Sequence, residues 1–212
     1  MSGCKRGRNV IVTGGTVRLG KAIAEYLRAS GWNVVTVSHR EDSGAEVIAD
    51  FRKLEEVEAA YRAAVRLFDG NAPDGLVNNA ALYRGDPGEI ESVNLKSPIL
   101  LTELMATRCE GRGAVVNILD AGVGSAQDPY GEAKSALADY TREAARRFVG
   151  KLRVNAVAPG PVYAPVQIHE KAGECPLGRP TGEAVARAVE FLLAAEATSG
   201  IVIPVDGGKT LL

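Results

Sequence analysis

Cysteine and histidine are scarce in this chain: 212 residues hold three of the first and two of the second. Cys4, Cys109 and Cys175 lie far apart with no CxxC pair. That spacing excludes a disulfide framework and, beside so few histidines, a zinc-type ligand set. The simplest reading is a metal-free, reduced, cytoplasmic protein. Long apolar runs are missing too, and none approaches the ~20 residues of a membrane-spanning helix. The basic opening MSGCKRGR leads into a strand pattern instead of the apolar core of a signal peptide. Charge of one sign is also lacking: 25 Lys and Arg against 26 Asp and Glu leave a net charge of −1. Overall electrostatics therefore draw the chain neither to nucleic acid nor to a membrane. With no repeat, low-complexity tract or linker, and with 46% hydrophobic residues, residues 1–212 are expected to form one domain around a large core.

What is present alternates. Strand patterns fall at Val10–Thr13, Asn33–Ser38, Glu46–Ala49, Gly75–Asn78, Ala114–Leu119, Arg153–Ala158 and Ile201–Val205. Helical patterns fall between them, at Leu19–Ala29, Lys53–Phe68, Glu89–Cys109, Pro129–Val149 and Gly182–Ala195. Near-continuous apolar strands separated by helices predict an α/β fold, a doubly wound parallel sheet of about seven strands with helices on both faces. Crossovers should be right-handed, and a ligand should lie at the carboxyl ends of the strands.

Two short motifs carry chemistry. The first is Thr13-Gly14-Gly15-Thr16-Val17-Arg18-Leu19-Gly20, a glycine turn set between the first strand and the first helix. That order brings backbone N–H groups and the positive end of a helix to a pyrophosphate. The second is Tyr130-Gly-Glu-Ala-Lys134, which puts a phenol and an ammonium one helical turn apart on the same face. A free tyrosine titrates near ~10, and an adjacent ammonium is expected to pull it down. Either motif has a bland alternative: a surface tyrosine over a lysine stem, or an ordinary turn.

Together the two motifs resemble the short-chain dehydrogenase/reductase family, and further segments match in family order. Asn78-Asn79-Ala80 closes a strand where the family has NNAG. Asn94 falls at the family's catalytic asparagine, Pro159-Gly160 at its PG turn, and Val205-Asp206-Gly207-Gly208 at its VDGG. The likeness covers essentially the whole chain. It implies a single-domain Rossmann fold and a nicotinamide cofactor held along Gly14, Thr16, Val17, Arg18, Leu19 and Gly20. The cofactor path continues through Ser38, His39 and Arg40, Asp50 at the adenine, Asn79, Ala80, Pro159, Gly160 and Val162. The same likeness gives Tyr130 as proton donor, Lys134 on the nicotinamide ribose, Asn94 behind the lysine in a water relay, and a homodimer or homotetramer.

Two departures from the common pattern resemble pteridine and dihydromonapterin reductases: Arg18 replaces the middle glycine of the turn, and Asp120 replaces the serine that partners the tyrosine. Ser125 is a rival for that serine, and an Asx-turn is the structural alternative for Asp120. Tyr83 falls where the subgroup stacks an aromatic ring on the pterin. His39 and His169 read as loop residues, and Asp50 doubles as a helix N-cap candidate. An acid at the tip of the second strand would hold the ribose of NAD, whereas an arginine there takes the 2′-phosphate of NADP. That strand ends Val37-Ser38-His39-Arg40, with Glu41 and Asp42 only later, so NADPH is expected.

An ionised aspartate accepts hydrogen bonds and cannot donate one to a ketone oxygen. Asp120 therefore suits a ring C=N bond, either by accepting from nearby amino and N–H donors or, protonated, by relaying a proton through water to the ring imine, and the expected substrate is a dihydropterin or dihydrofolate. A short-chain ketone reductase (of a 3-oxoacyl thioester or a sugar) and a catalytically silent cofactor-sensing protein stay open. The stretch from Asp120 to Tyr130 and the segment Pro161–Arg179 are short for this resemblance, which implies an open substrate pocket.

Overall fold

The computed structural model describes residues 8–109, 113–122, 128–163 and 175–212. Seven strands form one parallel sheet: β1 (Asn9–Thr13), β2 (Asn33–Ser38), β3 (Val47–Ile48), β4 (Gly75–Asn78), β5 (Gly113–Ile118), β6 (Leu152–Pro159) and β7 (Val202–Val205). Their order is β3-β2-β1-β4-β5-β6-β7. The helices are α1 (Arg18–Ala29), α2 (Leu54–Leu67), α3 (Pro87–Glu91), α4 (Ser97–Ala106), α5 (Pro129–Arg147) and α6 (Gly182–Ala194).

Strand alternation sorts the core into two layers. Ile11, Val35, Leu76, Val115 and Val154 share one cluster with residues of α2, α4 and α5. Val10, Val12, Val34, Val77 and Val116 face the other way, against Ile23, Leu27, Val185, Val189 and Leu192 of α1 and α6. Because both faces are covered, the strands tolerate no polar alternation, which is why they read as unbroken apolar runs. The polar residues they do carry are tied. The Asn78 side-chain amide donates to Asn117 Oδ1 at 2.8 Å, and Asn117 donates to Thr141 Oγ1 of α5 at 2.9 Å. Arg153, entering β6, donates to the carbonyls of Leu192 and Leu193, both at 2.8 Å, and so closes the carboxyl end of α6.

Three expectations need correction. The third strand is shorter than Glu46–Ala49, because Glu46 leaves the ladder. Its carboxylate accepts from the Thr36 N–H at 2.8 Å and from Arg28 Nη2 at 2.8 Å, standing in for a strand neighbour that β3 is too short to supply. The single helix expected over Glu89–Cys109 is three pieces: α3, capped by the Asp86 carboxylate on Gly88 N with Pro87 at its start, then a π turn over Ser92–Lys96, then α4. Pro98 supplies the reason, since it has no N–H to offer the carbonyl of Asn94 four residues back. Asp50 does not cap α2; the capping position is Lys53, with no side-chain hydrogen bond. The other boundaries fall within two residues of expectation, and β2 and β4 match it. Among the described residues no helix is long and apolar enough to cross a membrane, and no cluster of three or more His, Cys, Asp or Glu side chains could hold a metal.

Candidate active site

A cavity of about 650 Å³ opens at the carboxyl ends of the strands, around the point where the order reverses between β1 and β4. The β1–α1 turn forms its floor. Gly14 has φ 62° and donates to the Val37 carbonyl at 2.8 Å. A Cβ on Gly20 would collide with the Gly14 carbonyl and with the Asn79 amide, so turn and helix meet in contact that only glycine permits. Thr13 does more than close the turn. Its hydroxyl accepts from Asn79 N at 2.9 Å and Ala80 N at 3.0 Å, fastening the end of β4 to β1. Thr16, Val17 and Leu19 also line the cavity, at the N-terminal end of α1.

Arg18 stands where a glycine would be comfortable. Its φ is 47°, in the left-handed region, and its guanidinium lies 5.2 Å from the centre of the Tyr163 ring. That backbone costs about 1–2 kcal/mol in an L-residue. Arg18→Gly relieves the strain but gives back about 0.5–1 kcal/mol of unfolded-state entropy and about 0.5–1 kcal/mol of cation–π contact. The expected thermal shift is therefore close to zero, while a dinucleotide titration shows weakened binding. A large loss of stability would mean that Arg18 is a structural residue.

At the end of β2, Ser38 is buried and accepts from Arg40 N at 3.2 Å, while His39 and Arg40 are exposed. Arg40 forms a two-pronged pair with Asp42: Nε to Oδ1 at 3.0 Å and Nη2 to Oδ2 at 2.8 Å. Asp50, at the far end of the cavity, is likewise paired, with Arg52 Nη2 at 2.6 Å. That hydrogen bond holds the Asp50 carboxyl below its ordinary range.

The opposite end brings together Asp120, Tyr130, Lys134 and Tyr83. Asp128 caps α5 through Gly131 N at 2.7 Å, with Pro129 in the first turn, which places Tyr130 at the mouth and Lys134 one turn deeper. The Tyr130 hydroxyl donates to Asp120 Oδ2 at 3.4 Å, and Asp120 Oδ1 accepts from Gly122 N at 2.8 Å. The Asx-turn and the site position thus coexist in one residue. Lys134 is 3% exposed, and Nζ donates to the Ile118 carbonyl at 2.8 Å. Burial lowers its pKa to about 8, against the raising influence of Asp120.

The expected depression of the Tyr130 pKa is not found. Burial first, then Tyr83 and Asp120, push the phenol well above its ordinary value. Lys134 Nζ lies 5.7 Å from the Tyr130 ring centre and does not offset them. Tyr130 is accordingly protonated throughout the neutral range. The Tyr83 ring, 66% exposed, stacks on Tyr130 with centroids 4.6 Å apart and planes at 29°. No planar ligand fits between them; it can stack only on the outer face of Tyr83, or after the rings part.

Asn94 does not border the cavity. It is fully buried in the π turn, where its amide donates to Leu82 O at 2.8 Å and Ile90 O at 2.9 Å, and its carbonyl accepts from Leu82 N at 3.3 Å. Its side chain pins the loop that carries Tyr83. Pro159, Gly160 and Val162 form the remaining wall. A Cβ on Gly160 would sit 2.7 Å from Asp206 Cα, which explains how the VDGG turn packs beneath the PG turn. The Asp206 carboxylate accepts from Gly208 N at 3.0 Å and from Thr210 N at 2.8 Å, giving that turn its shape. Arg52 and Tyr163 also line the cavity and were not singled out from sequence; the aromatic three residues past Gly160 was the available signal for Tyr163. Ser125, His169, Cys4 and most of the Pro161–Arg179 segment lie outside the described residues.

The family model described as enoyl-(acyl carrier protein) reductase matches residues 17–210. A crystal structure of FolM alternative dihydrofolate reductase 1 from Brucella canis complexed with NADP superposes with a TM-score of 0.84, at 29% identity over 97% of this chain and 94% of that one. The corresponding protein from Brucella suis, also with NADP, gives 0.82 at 30% identity over 97% and 96%. The 3-oxoacyl-(acyl-carrier-protein) reductase FabG from Aquifex aeolicus is 31% identical, over 96% of this chain and 97% of its own. With its glycine turn, its parallel seven-stranded sheet and its paired Tyr130 and Lys134, the chain belongs to the short-chain dehydrogenase/reductase family.

Proposed function

We propose that this protein is an NADPH-dependent reductase of a pterin-type C=N bond, converting a dihydropterin or dihydrofolate to the tetrahydro form. The observation that carries the reading is the Asp120 carboxylate, which accepts from the Tyr130 hydroxyl where the family more often has a serine. Two FolM structures with NADP support it by overall likeness.

The residues present fit the dinucleotide. The β1–α1 turn has no Cβ at Gly14 or Gly20 to obstruct a pyrophosphate, and Arg18 and Arg40 border the same cavity. Asp50 stands at the adenine end and Lys134 at the ribose. NADPH, when bound, supplies the hydride. Tyr130 gives its proton to the ring nitrogen as the adjacent carbon is reduced. Asp120 accepts from the amino and N–H groups of the heterocycle and so fixes which C=N bond faces the cofactor. Lys134 holds the ribose and keeps a positive charge behind the tyrosinate as it forms.

The rival reading, a ketone reductase, has support from relatives such as FabG. Asp120→Ser separates them. Loss of a charge-assisted contact costs about 1.5–3 kcal/mol, so kcat/KM for a dihydropterin falls about ten- to a hundredfold. Activity on an activated ketone holds or rises, because the serine donates to the carbonyl oxygen. A wild type that prefers the ketone, with a pterin rate indifferent to Asp120→Ser, would replace this reading with the rival one.

A further inference from the structure

We infer that Asp42 is a specificity-setting residue of the dinucleotide site, an internal counter-charge that competes with the 2′-phosphate for Arg40. This rests on the reading of Arg40 as the phosphate-binding residue. Asp42 follows the end of β2 and lies in the 3₁₀ turn Glu41–Ser43. It occupies one edge of the Arg40 guanidinium with both carboxylate oxygens. Each partner moves the other in the sense of a formed pair: Arg40 is raised chiefly by its hydrogen bond to Asp42, and Asp42 is lowered chiefly by the same bond.

The pair is not what holds the turn. Arg40 N donates to Ser38 Oγ at 3.2 Å, Ser43 Oγ donates to Arg40 O at 2.6 Å, and Ser43 N donates to Arg40 O at 3.2 Å. Gly44, with φ 72°, ends the turn. Backbone and serines therefore fix the Arg40 main chain without Asp42, and what Asp42 adds is two hydrogen bonds and a charge at the guanidinium. A guanidinium has five N–H donors, of which Asp42 takes two. A phosphate can dock on the remaining edge, but it then faces a carboxylate a few ångströms away. Alternatively it displaces Asp42 outright. Either route penalises the phosphorylated dinucleotide and leaves NADH, which carries a hydroxyl there, nearly untouched. The arrangement sets an upper limit on the preference for NADPH.

The test is direct binding of NADPH and NADH, by titration, to wild type, Asp42→Asn, Arg40→Ala and the double variant, at low and at high salt. Asparagine keeps an acceptor for Arg40 and removes the charge. The expected result is tightening of NADPH by about three- to tenfold at low salt in Asp42→Asn, shrinking at high salt, with NADH changed less than twofold. The same substitution tightens NADPH again in the Arg40→Ala background, where the carboxylate repels the phosphate with no arginine between them. If Asp42→Asn weakens NADPH, or has no effect once Arg40 is gone, Asp42 acts by positioning Arg40 and the inference is overturned. If Arg40→Ala leaves the NADPH-to-NADH ratio as it was, the phosphate binds elsewhere; the reading of Arg40 then fails, and the inference with it.

Discussion

On the proposed dihydropterin substrate, Tyr130→Phe lowers turnover about 10²–10⁴-fold, the contribution of a well-placed acid–base group. The fold survives, because the phenyl ring still stacks on Tyr83 and the hydroxyl's contact to Asp120 is long, at 3.4 Å. Dinucleotide affinity survives as well, since the turn, Arg40 and Lys134 are untouched. Single-turnover kinetics with pre-bound NADPH isolate the loss to the chemical step. The phenol is held protonated by burial and by its two neighbours, so its own titration places no limit on activity in the neutral range. A Phe variant that keeps near-normal turnover would make Asp120 or a water the donor.

Lys134→Met produces an inactive protein whose stability relative to wild type depends on pH. The wild-type ammonium is buried with one carbonyl partner, and its pKa is lowered to about 8. Keeping it charged at neutral pH costs about 3 kcal/mol relative to an unfolded chain in which lysine titrates near ~10.4. A folded-state pKa below the unfolded one contributes stability that is present above the unfolded value and is lost as pH falls towards the folded one. The cost is therefore full below about pH 8 and absent above pH ~10.4. Methionine removes it but takes the donor from the Ile118 carbonyl, about 1–3 kcal/mol, so the two terms largely offset at pH 7, and the variant loses ground to wild type as pH rises towards ~10.4. Activity drops with the loss of the charge behind Tyr130. In wild type, kcat/KM declines on an alkaline limb near pH 8, which belongs to the lysine and not to the tyrosine. A melting difference that does not change between pH 7 and pH ~10.4 would mean that the ammonium is better solvated than its burial implies.

Much of this site could be read from the sequence, because its parts are short local patterns. A glycine turn after β-branched residues, a Tyr and Lys one turn apart, and Asn78-Asn79 at a strand end each dictate local geometry. Their order fixes the sheet. Effects that depend on distant residues were not legible. The break at Ser92–Lys96 requires Pro98 to be weighed against an otherwise good helical run. The withdrawal of Glu46 from β3 depends on Thr36 and Arg28, which come to it only on folding. The pKa of Tyr130 went the wrong way for a similar reason: one turn of helix sets Lys134 beside it, but burial and Tyr83 come from tertiary packing. Arg40 could be seen as a phosphate ligand, whereas its capture by Asp42 two residues on required the turn to be built.

Glu46 has one more consequence. A parallel sheet has two borders, and each exposes backbone that another extended chain could zip onto. At the β3 border only two residues pair with β2, and the next free amide inward, that of Thr36, is already held by the Glu46 carboxylate. Arg28 locks that carboxylate from the neighbouring helix. An incoming strand finds too little ladder to grip and a charge where its own carbonyl should go. Growth of the sheet is thus stopped on this side, beside the dinucleotide cleft, by one side chain acting as a terminator. Glu46→Gln would keep the shape of that stop while weakening its hold as the ion pair with Arg28 disappears.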